Sequence, residues 1–431
     1  MTVSDFENFK TNFFEQLSKG NKKCLKVIDD NKKLVEYYIN SKDLTYVKIF
    51  LNDFNNLVLN PRFEQYKLLK SVLEHPLLTP VANQFRESDV LVKACKKENI
   101  SAIEWLLTMD INLGVQDELG RTALMYAVKF TSMDYIIKKI MKTKGKHIMA
   151  IDNKGNNALF FATENMLTFR ELLKYKKYYD FYYKNNDREN ALMFSCRYGK
   201  ITTVEYFVYL CKYMDVDPEY TNTEGKTVPM YLAEHFRYRE LRWMFKNYNI
   251  NPNFKSNLGH TLFSCLVKKY YKTYTKVITE TKGFGYYYDF FKSALGTFVA
   301  LVELGCNIKE PIDKDGTKAT EILLKLKDVI TYGYLVSNGA EEINCLIEDK
   351  NNPDDKYPGV DITDLTIQKN IKASQKWLEE GLKDIEEFRN MAYLSELANR
   401  NWFFDSSPLT LITINSVIGA VNNVKNRNKN K

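Results

Sequence analysis

The four histidines, His75, His147, His235 and His260, are the residues from which a zinc site or an imidazole general base would have to be built. They lie in four separate segments, with no H-x-x-x-H or H-E-x-x-H spacing to bring two rings to one helix face, so no metal site is read from them. His260, between Gly259 and Thr261, reads as part of a turn rather than as a base. The sequence also lacks a G-x-x-x-x-G-K-[ST] phosphate loop, a G-x-S-x-G elbow and a kinase signature. Its seven cysteines are scattered, with no C-x-x-C pair, and read as small buried thiols of a reducing compartment. The expectation is a chain without enzymatic activity, cofactor or metal.

Basic residues interleaved with aromatics form a second kind of chemistry. "KYKKYYDFYYKNN" (174–186) and the stretch 268–292, which contains "KKYYKTYTK" and "KGFGYYYDFF", combine cations that can neutralise phosphate with rings that can stack on bases. "KGFGYYYDFF" opens like the RNA-recognition strand pattern K/R-G-F/Y-G/A-F-V-x-F/Y. Within it, however, Tyr287 replaces a small aliphatic residue and Asp289 stands where the last aromatic belongs and would repel phosphate. The preferred reading is therefore packed tyrosine bodies with solvated lysines, and nucleic-acid binding through 174–186 and 268–292 is the alternative. With 29 tyrosines, a protein-contact role for some of them is a third reading.

What positions these segments is a repeat. "DELGRTALMYAVKF", "DNKGNNALFFAT", "NNDRENALMFSCRYGK", "NTEGKTVPMYLAEHF" and "SNLGHTLFSCLVKKY" begin at 117, 152, 185, 222 and 256, at intervals of 35, 33, 37 and 34 residues. Each unit opens with Asp, Asn or Ser (Asp117, Asp152) for a tight turn. Gly120, Gly155, Gly225 or Gly259 supplies a positive φ, and Thr122, Asn157, Asn190, Thr227 or Thr261 caps a short helix. A second helix follows, with bulky apolar spacing such as Ile136, Ile137, Ile140 and Met141. Such a unit cannot bury its own apolar face and needs stacked neighbours.

At these residues the sequence resembles the ankyrin repeat, whose signature is a turn Asp and Gly followed by T-P-L-H-x-A. Asp117, Gly120, Thr122, Leu124 and Ala127 fill those slots, while Met125, Phe160, Met193, Met230 and Ser264 replace the histidine that in the family ties neighbouring repeats. Weaker copies carry the resemblance over residues 88–345. It implies an all-α, ankyrin-like helix-turn-helix solenoid, with helical N- and C-terminal regions, acting as a protein-interaction scaffold. On that reading a protein partner meets the concave surface of turn tips and first helices. The candidate contacts are Glu118, Arg121, Lys154, Asn156, Arg188, Glu224, Lys226 and Leu258.

The flanks complete the expected organisation. Residues 1–87 read as a helical cap or degenerate repeat, 346–366, rich in Asp, Asn, Pro and Gly, as a linker, and 367–431 as an amphipathic helical cap with a basic tail. Asp5 and Glu7 stand where a signal peptide needs positive charge. The most apolar late stretch, Leu409–Val424, is 16 residues long and contains Asn415 and Ser416, short of the roughly 20 a span needs. The net charge of +8 is too dilute to imply nucleic acid. An intracellular protein, in the cytoplasm or nucleus and without a membrane partner, is expected.

Overall fold

The computed structural model describes residues 2–343, apart from Lys42, Lys144, Asp215 and residues 280–283, together with residues 356–359. The amphipathic helix expected in 367–431 lies outside the described residues, as does all of the 346–366 linker except residues 356–359. Among the described residues the chain is helical, without strands. No described helix is long and apolar enough to cross a membrane. Contacts divide the chain into two compact units, one of residues 1–195 and 210–215 and the other of 196–209 and 216–431.

The first unit opens with Val3–Ser18, a helix whose start is fixed reciprocally: the Thr2 side chain accepts from the Asp5 N–H and Asp5 accepts from the Thr2 N–H. Phe6, Phe9 and Phe13, three and four residues apart, fall on one face, where Phe9 stacks on Phe50 of the Thr45–Val58 helix at 6.3 Å. Repeating pairs follow, Val90–Lys96 with Ile100–Leu106, Ala123–Ala127 with Asp134–Lys142, and Ala158–Ala162 with Met166–Leu173. The substituted signature slots are buried, with Met125 beside Leu124 and Phe160 edge-on to Phe194 at 5.5 Å. Burying a side chain of this size contributes roughly 1.5–3 kcal/mol, so packing supplies the cohesion that the missing histidines do not.

The second unit contains Val228–Glu234 with Tyr238–Asn247, Leu262–Thr279 with Phe284–Glu303, and Ala319–Lys325 with Val329–Ser337. The middle pair has 18 and 20 residues, against 7 to 10 for the other two pairs. "KKYYKTYTKVIT" has no Gly, Pro or Asn to stop the first of them. Phe284–Phe291 belongs to the second helix of this pair, and Lys268–Lys276 to the first.

Candidate partner-binding surface

The turns at Asp117, Asp152, Asn185, Asn222 and Ser256 are built from bonds between residues two to four apart. Asp117 N–H donates to the Arg121 carbonyl at 3.0 Å, while Asp117 Oδ1 accepts from the N–H groups of Leu119 (3.0 Å) and Arg121 (2.9 Å). Asp152 does the same for Lys154 and Asn156, and Asn222 for Glu224 and Lys226. Asn185 closes on Glu189 and Ser256 on His260. The glycines take φ of +73° (Gly120), +79° (Gly155), +67° (Gly225) and +82° (Gly259), and in the repeat that begins at Asn185 that slot is occupied by Arg188 at +62°. Thr122, Asn157, Asn190, Thr227 and Thr261 each accept from a first-turn N–H of the helix that follows. Burial alone would raise the Asp117 carboxyl, but the Tyr126 hydroxyl at 2.6 Å and the two turn N–H groups hold it below its ordinary value.

In the first unit, successive turns are tied to each other. Asn153 N–H donates to the Leu119 carbonyl at 3.0 Å and its Nδ2 to the Glu118 carbonyl at 2.9 Å. Asn186 repeats the pattern on Lys154 (3.0 Å) and Asn153 (3.2 Å). Beneath this row runs a buried polar ladder. Asn156 Nδ2 donates to Asp152 Oδ2 at 3.2 Å, Asn185 Nδ2 donates to Asn156 Oδ1 at 2.8 Å, and Asn185 Oδ1 accepts from Glu189 N–H at 2.8 Å. Arg121 closes the near end, with Nε 3.6 Å from Asp152 Oδ2 and the guanidinium 4.8 Å from the centre of the Phe161 ring.

These geometries separate the eight candidate contacts. In the first unit, Glu118, Lys154 and Arg188 are exposed, Arg121 is half-buried in its ion pair, and Asn156 is buried with its amide committed to Asp152 and Asn185. Asn156 therefore has no surface to offer, because the turn directs it inward. In the second unit, Lys226 is half-buried, with Nζ 2.6 Å from Glu234 Oε1 and over the Tyr231 ring. Glu224 pairs with Arg197 and accepts from Tyr231 at 3.1 Å, and Leu258 is exposed above Gly225.

Sequence reasoning missed the apolar members of the row. Leu119, Met149, Ile151 and Tyr182 of the first unit are 50%, 63%, 48% and 69% exposed. Gln116 Nε2 donates to the Ile151 carbonyl at 2.8 Å, so Ile151 stands beside the turn that carries Leu119. The available signal was positional: a large apolar residue just before or inside the turn points away from both helices.

The aromatic–basic segments are arranged differently. Tyr270, Tyr274, Phe290 and Phe291 are buried, with Tyr270 stacked on Phe290 at 5.7 Å, so those rings do not present faces to a base. In 174–186, Tyr179 is buried, Tyr183 donates to the Gly155 carbonyl at 2.9 Å and Tyr182 faces solvent. Among the described residues, no three His, Cys, Asp or Glu side chains are grouped to hold a metal. Burial pushes the thiols of Cys95, Cys211, Cys265 and Cys306 up to about 12, which leaves them protonated and poorly nucleophilic.

The family description of ankyrin repeats in three copies matches residues 91–181. A putative ankyrin repeat protein of Rickettsia bellii (strain RML369-C) is 25% identical over 136 residues, 31% of this chain and 71% of that protein. Among solved structures, an ankyrin repeat domain from Acinetobacter baumannii AYE covers 51% of this chain and 98% of its own, with 20% identity and a TM-score of 0.37. The human ASB11 ankyrin repeat domain covers 53% and 89%, with 12% identity and a TM-score of 0.39.

Proposed function

The chain is an ankyrin repeat protein, and from that premise we propose that it is a non-catalytic interaction scaffold, in the cytoplasm or nucleus, that receives a protein partner on the tip row of its first unit. Ankyrin repeats are generally protein–protein interaction modules and are typically non-catalytic. The observation that carries the reading is the exposed set Leu119, Met149, Ile151 and Tyr182, each within or just before a turn of a series tied one to the next by Asn153 and Asn186. Large apolar side chains on a stiff polar base favour association, because contact removes apolar surface from water while little flexibility is lost. Glu118, Lys154 and Arg188 flank them with charge of both signs, which supplies orientation.

The test compares the intact chain with a Leu119→Ser/Ile151→Ser/Tyr182→Ser variant, after checking that both melt at the same temperature. Partners captured with nuclease present are identified, purified and titrated. At least a tenfold loss of affinity in the variant supports the reading, since each interface anchor is worth about 1–2 kcal/mol or more. Equal affinity removes the row from the interface. Capture of nucleic acid alone, lost steeply with salt, would return the function to the Lys/Tyr segments.

A further inference from the structure

In the first unit the Asp117 turn is covered by the Asp152 turn, and that one by the Asn185 turn. The turn at Asp313 in the second unit keeps the carboxylate bonds of the other turns, while its closing backbone bond starts one residue earlier, at Ile312. Ile312 N–H donates to the Thr317 carbonyl at 2.8 Å, Asp313 Oδ1 accepts from Asp315 (3.2 Å) and Thr317 (3.1 Å), and Gly316 has φ +83°. Among the described residues, what meets it is the tetrapeptide Lys356-Tyr357-Pro358-Gly359, from the stretch read in the sequence as a linker. Lys356 Nζ lies between two carboxylates, 3.1 Å from Asp313 Oδ2 and 3.2 Å from Asp315 Oδ2. Tyr357 is 6% exposed and meets the Tyr271 ring edge-on at 5.0 Å. The Tyr271 hydroxyl donates to the Pro358 carbonyl at 2.9 Å, and a Cβ on Gly359 would stand 3.7 Å from the Lys325 carbonyl.

Four consecutive residues thus place a cation, bury a ring, present a carbonyl and pass close to a helix end, which is the pattern of a short peptide held in a side-chain-selective groove. We propose that Asp313, Asp315, Tyr271 and the Lys325 end of the Ala319–Lys325 helix form a docking groove selective for a Lys-Tyr-Pro-Gly segment. Its resident occupant is Lys356–Gly359 of the same chain, held as a releasable clasp. The clasp does for the Asp313 turn what a following repeat does for an internal one. This inference is independent of the tip-row reading.

The test uses the full chain, a Lys356→Glu/Tyr357→Ser variant and a labelled synthetic peptide, PDDKYPGVD. A tethered segment competes at an effective concentration of about a millimolar, so the peptide is expected to bind the variant at least about tenfold more tightly than the wild type. Amide exchange over 313–325 is expected to rise in the variant and to fall again when the peptide, but not its Lys→Glu form, is added. Charge exchange guards against a folding defect: Asp315→Lys with Lys356→Asp should restore protection that either change alone reduces. Equal peptide binding by wild type and variant, or none by the variant, overturns the groove. Protection in the wild type that depends on protein concentration would make a second copy the occupant and overturn the intramolecular clasp.

Discussion

His235 Nε2 lies 2.9 Å from the Arg197 carbonyl oxygen, 38 residues earlier, both residues belonging to the second unit. A carbonyl can only accept, so Nε2 carries a proton in either charge state of the ring. Burial, the largest influence, lowers its pKa below the ordinary 6.5 despite the opposing carbonyl bond, and burial also lowers His147 and His260. The unfolded chain therefore takes up protons that the folded chain refuses. The stability this neutrality preserves is present above pH 6.5 and is lost as pH falls through the folded values. Melting of wild type and His235→Gln between about pH 7.5 and about pH 5 should show a shallower acid loss in the variant, with the remainder due to His147 and His260. Identical slopes would show that His235 is protonated as readily in the fold as outside it.

The buried ladder sets a second expectation. Asn185 bonds both Asn156 and the backbone of Glu189, whose side chain is fully buried. Asn185→Ala strands polar groups where water cannot replace the amide, and should cost about 2–4 kcal/mol in denaturant unfolding. A loss under about 0.5 kcal/mol would mean that the ladder is open to solvent.

Two turn glycines separate strain from collision. Gly120 and Gly259 have similar φ, +73° and +82°. A Cβ at 120 would stand 2.7 Å from the Asn153 backbone nitrogen, whereas one at 259 meets nothing within 4 Å. Gly259→Ala should cost about 1–2 kcal/mol for the left-handed backbone alone. Gly120→Ala should cost more than that and also loosen amide protection at Asn153. Equal costs would leave no steric part.

The core of the long helix pair offers a fourth. Tyr270 is fully buried and its hydroxyl donates to Asp328 Oδ2 at 2.6 Å, while Asp328 caps the Val329–Ser337 helix by accepting from the Thr331 N–H. Burial is the largest reason that the Tyr270 hydroxyl lies well above its ordinary pKa, and the Asp328 charge adds to it. Tyr270→Phe keeps the ring packing and removes a hydrogen bond to a buried carboxylate, so thermal unfolding should reveal a cost of about 1.5–3 kcal/mol. A neutral substitution would show that Asp328 does not depend on this donor.

The turns were legible in the sequence because their physics is local. Asp117, Gly120 and Thr122 act on atoms two to four residues away, so a six-residue string carries the whole turn and its spacing betrays the repeat. The helical class followed from the resemblance these turns carry, and Met125 and Phe160, in its histidine slots, are buried. Tertiary structure alone decided which polar turn residues are consumed. Asn156 and Arg121 look as available as Lys154 until Asn185 and Asp152, brought from 29 and 31 residues away, take them up. It also decided that Phe284–Phe291, strand-like in its letters, is helical, since Phe290 is stacked against Tyr270. And it turned a Pro- and Gly-bearing linker into a seated peptide, because the carboxylates and the ring that hold Lys356 and Tyr357 lie 41 to 86 residues earlier in the chain.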